Sequence, residues 1–298
     1  MALQEPYWHG VFQQASLHDQ RRPQPKGPVE WSLATPITVE DMTRAIKGIS
    51  DRTPGPDGWT LNDLKALRLE EVAAHFNAWL LAGYPPTPRC HGETVLIAKE
   101  AGATAPEKHR PITILDIILR CFHEVLASRF ETTLQWNPHQ KAFVRGDGVG
   151  DSIWLLQTVI RQHQRTLQPL NIAFLDIKKA FDSVSHESLL IVAGRMGVPP
   201  TLLGYMGELY EDAWTCLRIG PLHSKPIRVS RGVRQGDPLS VHLFNATINW
   251  ALDCLDPQLG VEVGELRVNA GAFTADIAFI AMTSGGLQHP LSDLAAEF

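Results

Sequence analysis

The chain has 298 residues, a formal net charge of −5 and 44% hydrophobic residues, enough for a large core and two subdomains. No run approaches the ~18 apolar residues of a membrane span, and the N-terminus, MALQEPYWHGVFQQ, lacks the basic head and apolar segment of a signal peptide, so an intracellular protein is expected. The mild acidity offers no bulk argument for nucleic acid, and any such case rests on local charge.

Residues 1–35 are polar and broken by Pro23, Pro25 and Pro28, which predicts a tail or linker with Trp8, Phe12 and Trp31 packing onto the body. Thr38 opens a helix, with Asp41 completing a capping box and Met42, Ala45, Ile46 and Ile49 as its apolar stripe. The segment TPGPDG, from Thr53 to Gly58, is a sharply turned loop whose amides can come close to a nucleic-acid backbone, or is simply a turn. Helices follow at about 61–67 and 69–81, the second stopping at Gly83 before Pro85 and Pro86. A strand at 94–98 ends in Lys99, and a hairpin leads to His109-Arg110-Pro111-Ile112. Lys99 and Arg110 bracket it, either as solvated charge or as a clamp on polyphosphate.

A helix over about 115–134 has Ile118, Phe122, Val125, Leu126 and Phe130 inside. QKAFVRGDG, from Gln140 to Gly148, is a glycine-punctuated basic loop carrying Arg145. Asp151 is placed to cap the next helix, with Ile153, Leu155, Leu156 and Val159 inside and Pro169 ending it. Then comes NIAFLDIKKAFDSV, Asn171 to Val184: an apolar run suited to a strand buried on both faces, closed by Asp176. A carboxylate there is either a helix cap or a cation ligand. Ser185 caps a helix to Met196, and Pro200 starts another to about Asp212.

Strands at 216–219 and 227–230 form an expected hairpin. From Arg218 to Gln235 there are five cations, Arg218, Lys225, Arg228, Arg231 and Arg234, and no acid. An edge strand explains part of that, and contact with phosphates explains the single sign better. RGVRQGDPLS follows, with Gln235 between two glycines and ahead of a helix over 239–255. Strands at 266–268 and 277–281 flank GAFTAD, whose Asp276 is a second ligand candidate. The four cysteines, Cys90, Cys121, Cys216 and Cys254, form no CxxC pair and read as buried reduced thiols.

These motifs, in this order and spacing, resemble the reverse transcriptase domain of non-LTR, LINE-type retrotransposons, and most of all the clade that inserts into ribosomal RNA genes. The likeness runs from about Thr38 to Phe298 and rests on TPGPDG, TVLIAKE with HRPITI, QKAFVRGDG, AFLDIKKAFDSVSHE, GVRQGDPLS, LFN and AFTADIAFIAMTSGGLQ. It implies an α/β right-hand polymerase with fingers over 36–150 and palm over 151–298, the reverse transcriptase domain itself covering about 90–298. The thumb is expected to be missing and the palm cut short, since the chain stops inside what reads as a new helix near Gly286. The implied chemistry is two-metal nucleotidyl transfer with Mg²⁺ or Mn²⁺, on an RNA template, a DNA primer and dNTPs. A nuclear location is implied by the same analogy.

Residue by residue, the resemblance makes Asp176 and Asp276 catalytic metal ligands. Backbone amides at Ile177, Lys178 and Lys179 would cradle phosphates, and Phe181 would be the steric gate against a 2′-OH. Lys99 and Arg110 would hold the triphosphate, Gln235 and Gly236 would line the nucleotide pocket, and Arg145, Arg228, Arg231 and Arg234 would contact nucleic acid. One position departs decisively. The family reads F/Y-A-D-D at the hairpin, whereas this chain reads Phe273-Thr274-Ala275-Asp276, so Ala275 replaces the first Asp. Sliding the register to restore it would turn the strand side chains to opposite faces. An impaired or inactive polymerase is expected, with a nucleic-acid-binding remnant or a maturase-like RNA-binding role as the alternatives.

Overall fold

The computed structural model describes residues 1–16, 19, 24–49, 53–84, 91–288 and 290. Their fold is mixed α/β and divides into two compact units, residues 1–134 with 181–243, and residues 135–180 with 244–298.

The first unit is built on one sheet. β1 (His91–Ala98) pairs antiparallel with β2 (His109–Ile114) and parallel with β4 (Trp214–Ile219). A buried hydroxyl ladder joins the three strands, Thr94 Oγ1 lying 2.8 Å from Thr113 and 2.7 Å from Thr215. β4 is also paired on its far side, by β5 (Leu222–His223) and β6 (Ile227–Arg228). The expected long hairpin is thus a tight turn into β5, with β6 returning beside the start of β4. Within the expected tail, Trp8 and Phe12 do pack onto the body: helix α1 (Gln4–Phe12) buries them with Val11 against Leu217, Ile227 and Val229, while Trp31 stays exposed. The helix itself was not expected, because its apolar residues lie within a polar, proline-flanked segment.

The helices of this unit follow their local signals. α2 (Val39–Gly48) carries the full Thr38–Asp41 capping box, and a second box at Thr60–Asp63 opens α3 (Leu61–Ala66). α4 (Leu69–Ala82) ends on Gly83 at φ +71°. Pro85 and Pro86 lie outside the described residues. α5 (Ile117–Thr133) buries Ile117 where Ile118 was expected. α7 (Ala180–Ser183), α8 (His186–Arg195, capped by Ser185) and α9 (Pro200–Glu211) follow β3 (Asn171–Asp176), and α10 (Pro238–Asp253) follows the sheet and from residue 244 belongs to the second unit.

The second unit holds α6 (Gly148–Thr166), β3 and a run of short strands: β7 (Val261–Val263), β8 (Leu266–Val268), β9 (Ala270–Phe273) and β10 (Asp276–Ala281). β10 is the middle strand of the order β3-β10-β9, with antiparallel pairing on both sides. α6 packs Leu155 and Val159 against Val261, Val268 and Ile280. Asp147, rather than Asp151, caps α6 by accepting from the Gly150 amide. Its first turns therefore start earlier than expected, and Ile153 stands 53% exposed. The expectation of a doubly buried β3 also fails: Phe174 is 74% exposed. β3 is an end strand of a three-stranded sheet, and the strand covered on both faces is β10, where Ile277, Phe279, Ile280 and Ala281 are all buried.

The expectation of buried thiols holds for Cys121 and fails for Cys216, half-buried, and Cys254, exposed; Cys90 lies outside the described residues. Burial raises Cys121 to about 12, so it is inert as a nucleophile. No described helix is long and apolar enough to cross a membrane.

Candidate active site

The antiparallel ladder of β3 and β10 sets Asp176 directly opposite Asp276. Opposed residues share a face, with Cβ atoms typically about 4.5–5.5 Å apart, so the two carboxylates stand side by side. Both are exposed, and both line a cleft of about 280 Å³ with Lys141, Ser152, Leu155, Phe174 and Phe273. Like charges facing across a ladder repel unless a cation lies between them.

The turn between β9 and β10 is two residues long, Phe273 pairing with Asp276 across Thr274 and Ala275. Thr274 has φ +57°, a strained setting for a β-branched residue. Ala275 occupies the turn next to Asp276, and its carbonyl accepts from the Ile177 amide at 3.4 Å. That contact ties the turn to the segment leaving β3. It also engages one of the amides expected to meet phosphate. Lys178 and Lys179 follow in the open, Lys179 at φ +54°. Among the described residues no group of three His, Cys, Asp or Glu is arranged to hold a metal ion.

The segment from His139 to Ala142 supports this hairpin from its outer edge. The Lys141 amide donates to Ala272 O at 2.9 Å, and the Ala272 amide donates to His139 O at 2.8 Å. Gln140 Oε1 accepts from the Ala142 amide at 3.0 Å and from the Thr274 amide at 3.3 Å. Burial, reinforced by the Lys141 cation, holds His139 below the ordinary imidazole range. Gln140 and Lys141 were not among the expected site residues. Their signal was present in QKAF, where Arg145 drew attention instead; Arg145 is exposed on the loop beyond.

The remaining candidates lie in the first unit. Lys99 is exposed at the end of β1, and its ammonium donates to Glu107 O at 3.1 Å. Arg110, also exposed, sits opposite Ile97. The loop 231–237 is bonded on several sides. The Gly232 amide donates to Val184 O and the Val233 amide to Phe181 O, each at 2.7 Å. The Thr113 amide donates to Gln235 O at 2.7 Å. Gln235 Nε2 donates to Asp182 at 3.0 Å, which fixes its amide orientation, because a carboxylate only accepts. Gly232 and Gly236 have φ +81° and +110°, and a Cβ on either would lie within 2.8 Å of neighbouring backbone.

Below this loop lies a buried polar network that sequence reading missed. Asp237 accepts from His123 Nδ1 at 2.7 Å, from the Leu239 amide at 3.1 Å and from Ser240 at 3.1 Å. His123 Nε2 bonds Tyr205 Oη at 2.8 Å. Burial alone would raise the Asp237 carboxyl; His123, Arg234 and the Leu239 amide outweigh it and hold the group below its ordinary value. His123 gave no sequence signal, being one histidine within a helix.

The expected basic face is partly consumed. Arg218 pairs with Glu93 at 2.6 Å, Arg231 donates to Ser183 O, and Arg228 donates to Glu211 O at 3.1 Å while remaining exposed. Arg234 is only 4% exposed. The one-signed run in sequence is therefore not a one-signed surface, since Glu93 comes from a strand far away in the chain.

Residues 97–297 match the family model described as "Reverse transcriptase (RNA-dependent DNA polymerase)". The chain belongs to the reverse transcriptase family. It is 36% identical over 248 residues to a retrovirus-related Pol polyprotein from type-1 retrotransposable element R2 of Popillia japonica, a match covering 82% of this chain and 35% of that protein. It is 34% identical over 265 residues to the R2 counterpart of Nasonia vitripennis, covering 89% and 26%. The Pol polyprotein from type-2 retrotransposable element R2DM of Drosophila melanogaster is 33% identical over 258 residues, covering 87% and 24%. The chain thus spans about a quarter to a third of the length of these curated relatives, and the match supports a reverse transcriptase domain of the non-LTR retrotransposon type.

Proposed function

We propose that this chain is the polymerase portion of an R2-like element whose metal site has lost a principal ligand. The observation that carries the reading is the Asp176–Asp276 pair on adjacent strands, with Ala275 in the turn beside it. Two exposed, facing carboxylates suit one hard divalent cation completed by water. They do not supply the donors that two such ions within ~4 Å of each other need. Asp176 and Asp276 would hold Mg²⁺ or Mn²⁺, which would supply Lewis-acid activation of a primer hydroxyl and charge to offset a leaving pyrophosphate.

The other residues take further roles in the same proposed reaction. Lys99 and Arg110 are the cations offered to a triphosphate, and Lys178 with Lys179 supplies charge and amides beside Asp176. Gln235 presents its carbonyl oxygen, because its NH₂ is committed to Asp182. Gly236 leaves room for a close ligand, and Phe181 acts as the sugar gate on deoxynucleotides. Arg145, Arg228 and Arg231 remain phosphate contacts; Arg234, being interior, is assigned to the loop's own support. The substrates are an RNA template, a DNA primer and dNTPs, in the nucleus. Ala275 also favours a second reading, a domain that binds nucleic acid without extending it.

Primer extension on a primed RNA template with dNTPs and Mg²⁺ or Mn²⁺ tests the reading. The chain is expected to extend little or no primer, and Ala275→Asp to raise extension by ~100-fold or more. Robust extension by the unaltered chain would refute the impairment.

A further inference from the structure

Gln140 is 2% exposed, yet it lies outside any helix or named strand. Its Oε1 receives two backbone amides, Ala142 on its own segment and Thr274 in the hairpin turn. Its Nε2 is buried with no partner among the described residues. An unpaired buried donor costs on the order of 1–3 kcal/mol, so the bonds made by Oε1 must offset it. Two N–H donors converging on one atom also settle which end of the amide is oxygen.

The residue it holds is the strained one. Thr274 at φ +57° is a β-branched side chain in the left-handed region, a setting that persists only where surroundings enforce it. The enforcement is visible. The segment 139–142 runs beside β9 through the Ala272 bonds, and the Gln140 side chain reaches past that edge to the turn. Thr274 is two residues from Asp276, and β10 begins at Asp276.

We propose that Gln140 is a positioning residue for the acidic hairpin: its carboxamide oxygen pins the strained Thr274 backbone and so sets how Asp276 faces Asp176. The proposal rests on the metal-site reading above for its consequence, and on the hydrogen-bond geometry alone for the hold itself.

The test uses the full chain and two readouts, amide hydrogen exchange and Mn²⁺ binding followed by electron paramagnetic resonance. Gln140→Met keeps the volume and removes the acceptor. It is expected to speed exchange at Thr274 at least tenfold, to leave Phe279 and Ile280 unchanged, and to weaken Mn²⁺ binding severalfold. Gln140→Glu keeps the acceptor and is expected to stay near the parent in both. Thr274→Gly, which takes a positive φ without strain, should restore Mn²⁺ binding in the Gln140→Met background. Should Gln140→Met not fold, Gln140→Asn, one methylene short of Thr274, is read in the same way. Unchanged exchange at Thr274, or equal acceleration throughout β10, overturns the proposal. If the parent binds no Mn²⁺ while Thr274 responds as expected, the metal-site reading fails and the hold stands.

Discussion

The loop 231–237 and the hairpin 273–276 carry different parts of one proposed chemistry, and they are built in opposite ways. The loop is bonded to β2 and to the segment 181–184, and rests on the buried His123–Asp237 pair. The hairpin is exposed at its acid, strained at Thr274 and supported from one edge by Gln140. Satisfied burial makes the first insensitive to anything but loss of its network. On the proposed reading the second needs a cation to relieve two facing carboxylates, and Ala275 stands where a further ligand to it would be. On the same reading the loop's frame stands independently of the metal, since its bonds run to protein groups.

The contrast breaks most severely at Asp237. Asp237→Ala leaves His123 and Ser240 without their buried partner and should cost about 3–5 kcal/mol, against less than 1 kcal/mol for Asp276→Ala. Chemical denaturation of the two variants measures this, and similar losses would dissolve the distinction.

Acid acts on the loop's side next. His186, stacked on Tyr210, is held at about 4, first by burial and then by the neighbouring Arg234 and Arg231 cations; its bond to Gly232 O opposes them. Burial likewise lowers His242 to about 4. Both folded values lie below the ordinary 6.5, so the unfolded chain takes up more protons between pH 6.5 and 4. Stability is full above pH 6.5 and falls as the pH drops toward 4, lowering Tm by about 2–4 °C for each kcal/mol lost. His186→Phe should flatten part of that slope in thermal melts from pH 7 to 4.5.

The smallest effect belongs to the strained turn. Thr274→Gly should leave stability unchanged or raise it by up to about 1 kcal/mol, the relief of positive φ outweighing the glycine's added freedom. A loss above 1 kcal/mol in denaturant would show that the turn is not strained.

Much of this arrangement was legible from local rules. The Thr38 capping box, the Gly83 stop, the hairpin between Lys99 and Arg110 and the end of β3 at Asp176 are set within a few residues of chain, where caps, turns and periodicity act. The register that rejects a shifted hairpin was legible too, and Asp276 does face Asp176. What could not be read depends on distant partners. Glu93 neutralises Arg218 from another strand, Asp237 finds His123 on α5, and the exposure of Phe174 follows from β3 being an end strand. The packing of Trp8 and Phe12 was expected, but helix α1 was missed because its burial exists only against residues far along the chain, Leu217, Ile227 and Val229 among them.

The central claim, that Asp176 and Asp276 form half of a metal site, is tested most directly by Mn²⁺ titration of the chain beside Asp176→Ala and Ala275→Asp. The account predicts weak binding in the parent, none in Asp176→Ala, and binding at least tenfold tighter in Ala275→Asp. Parent binding as tight as that of Ala275→Asp, or unaltered by Asp176→Ala, would contradict it.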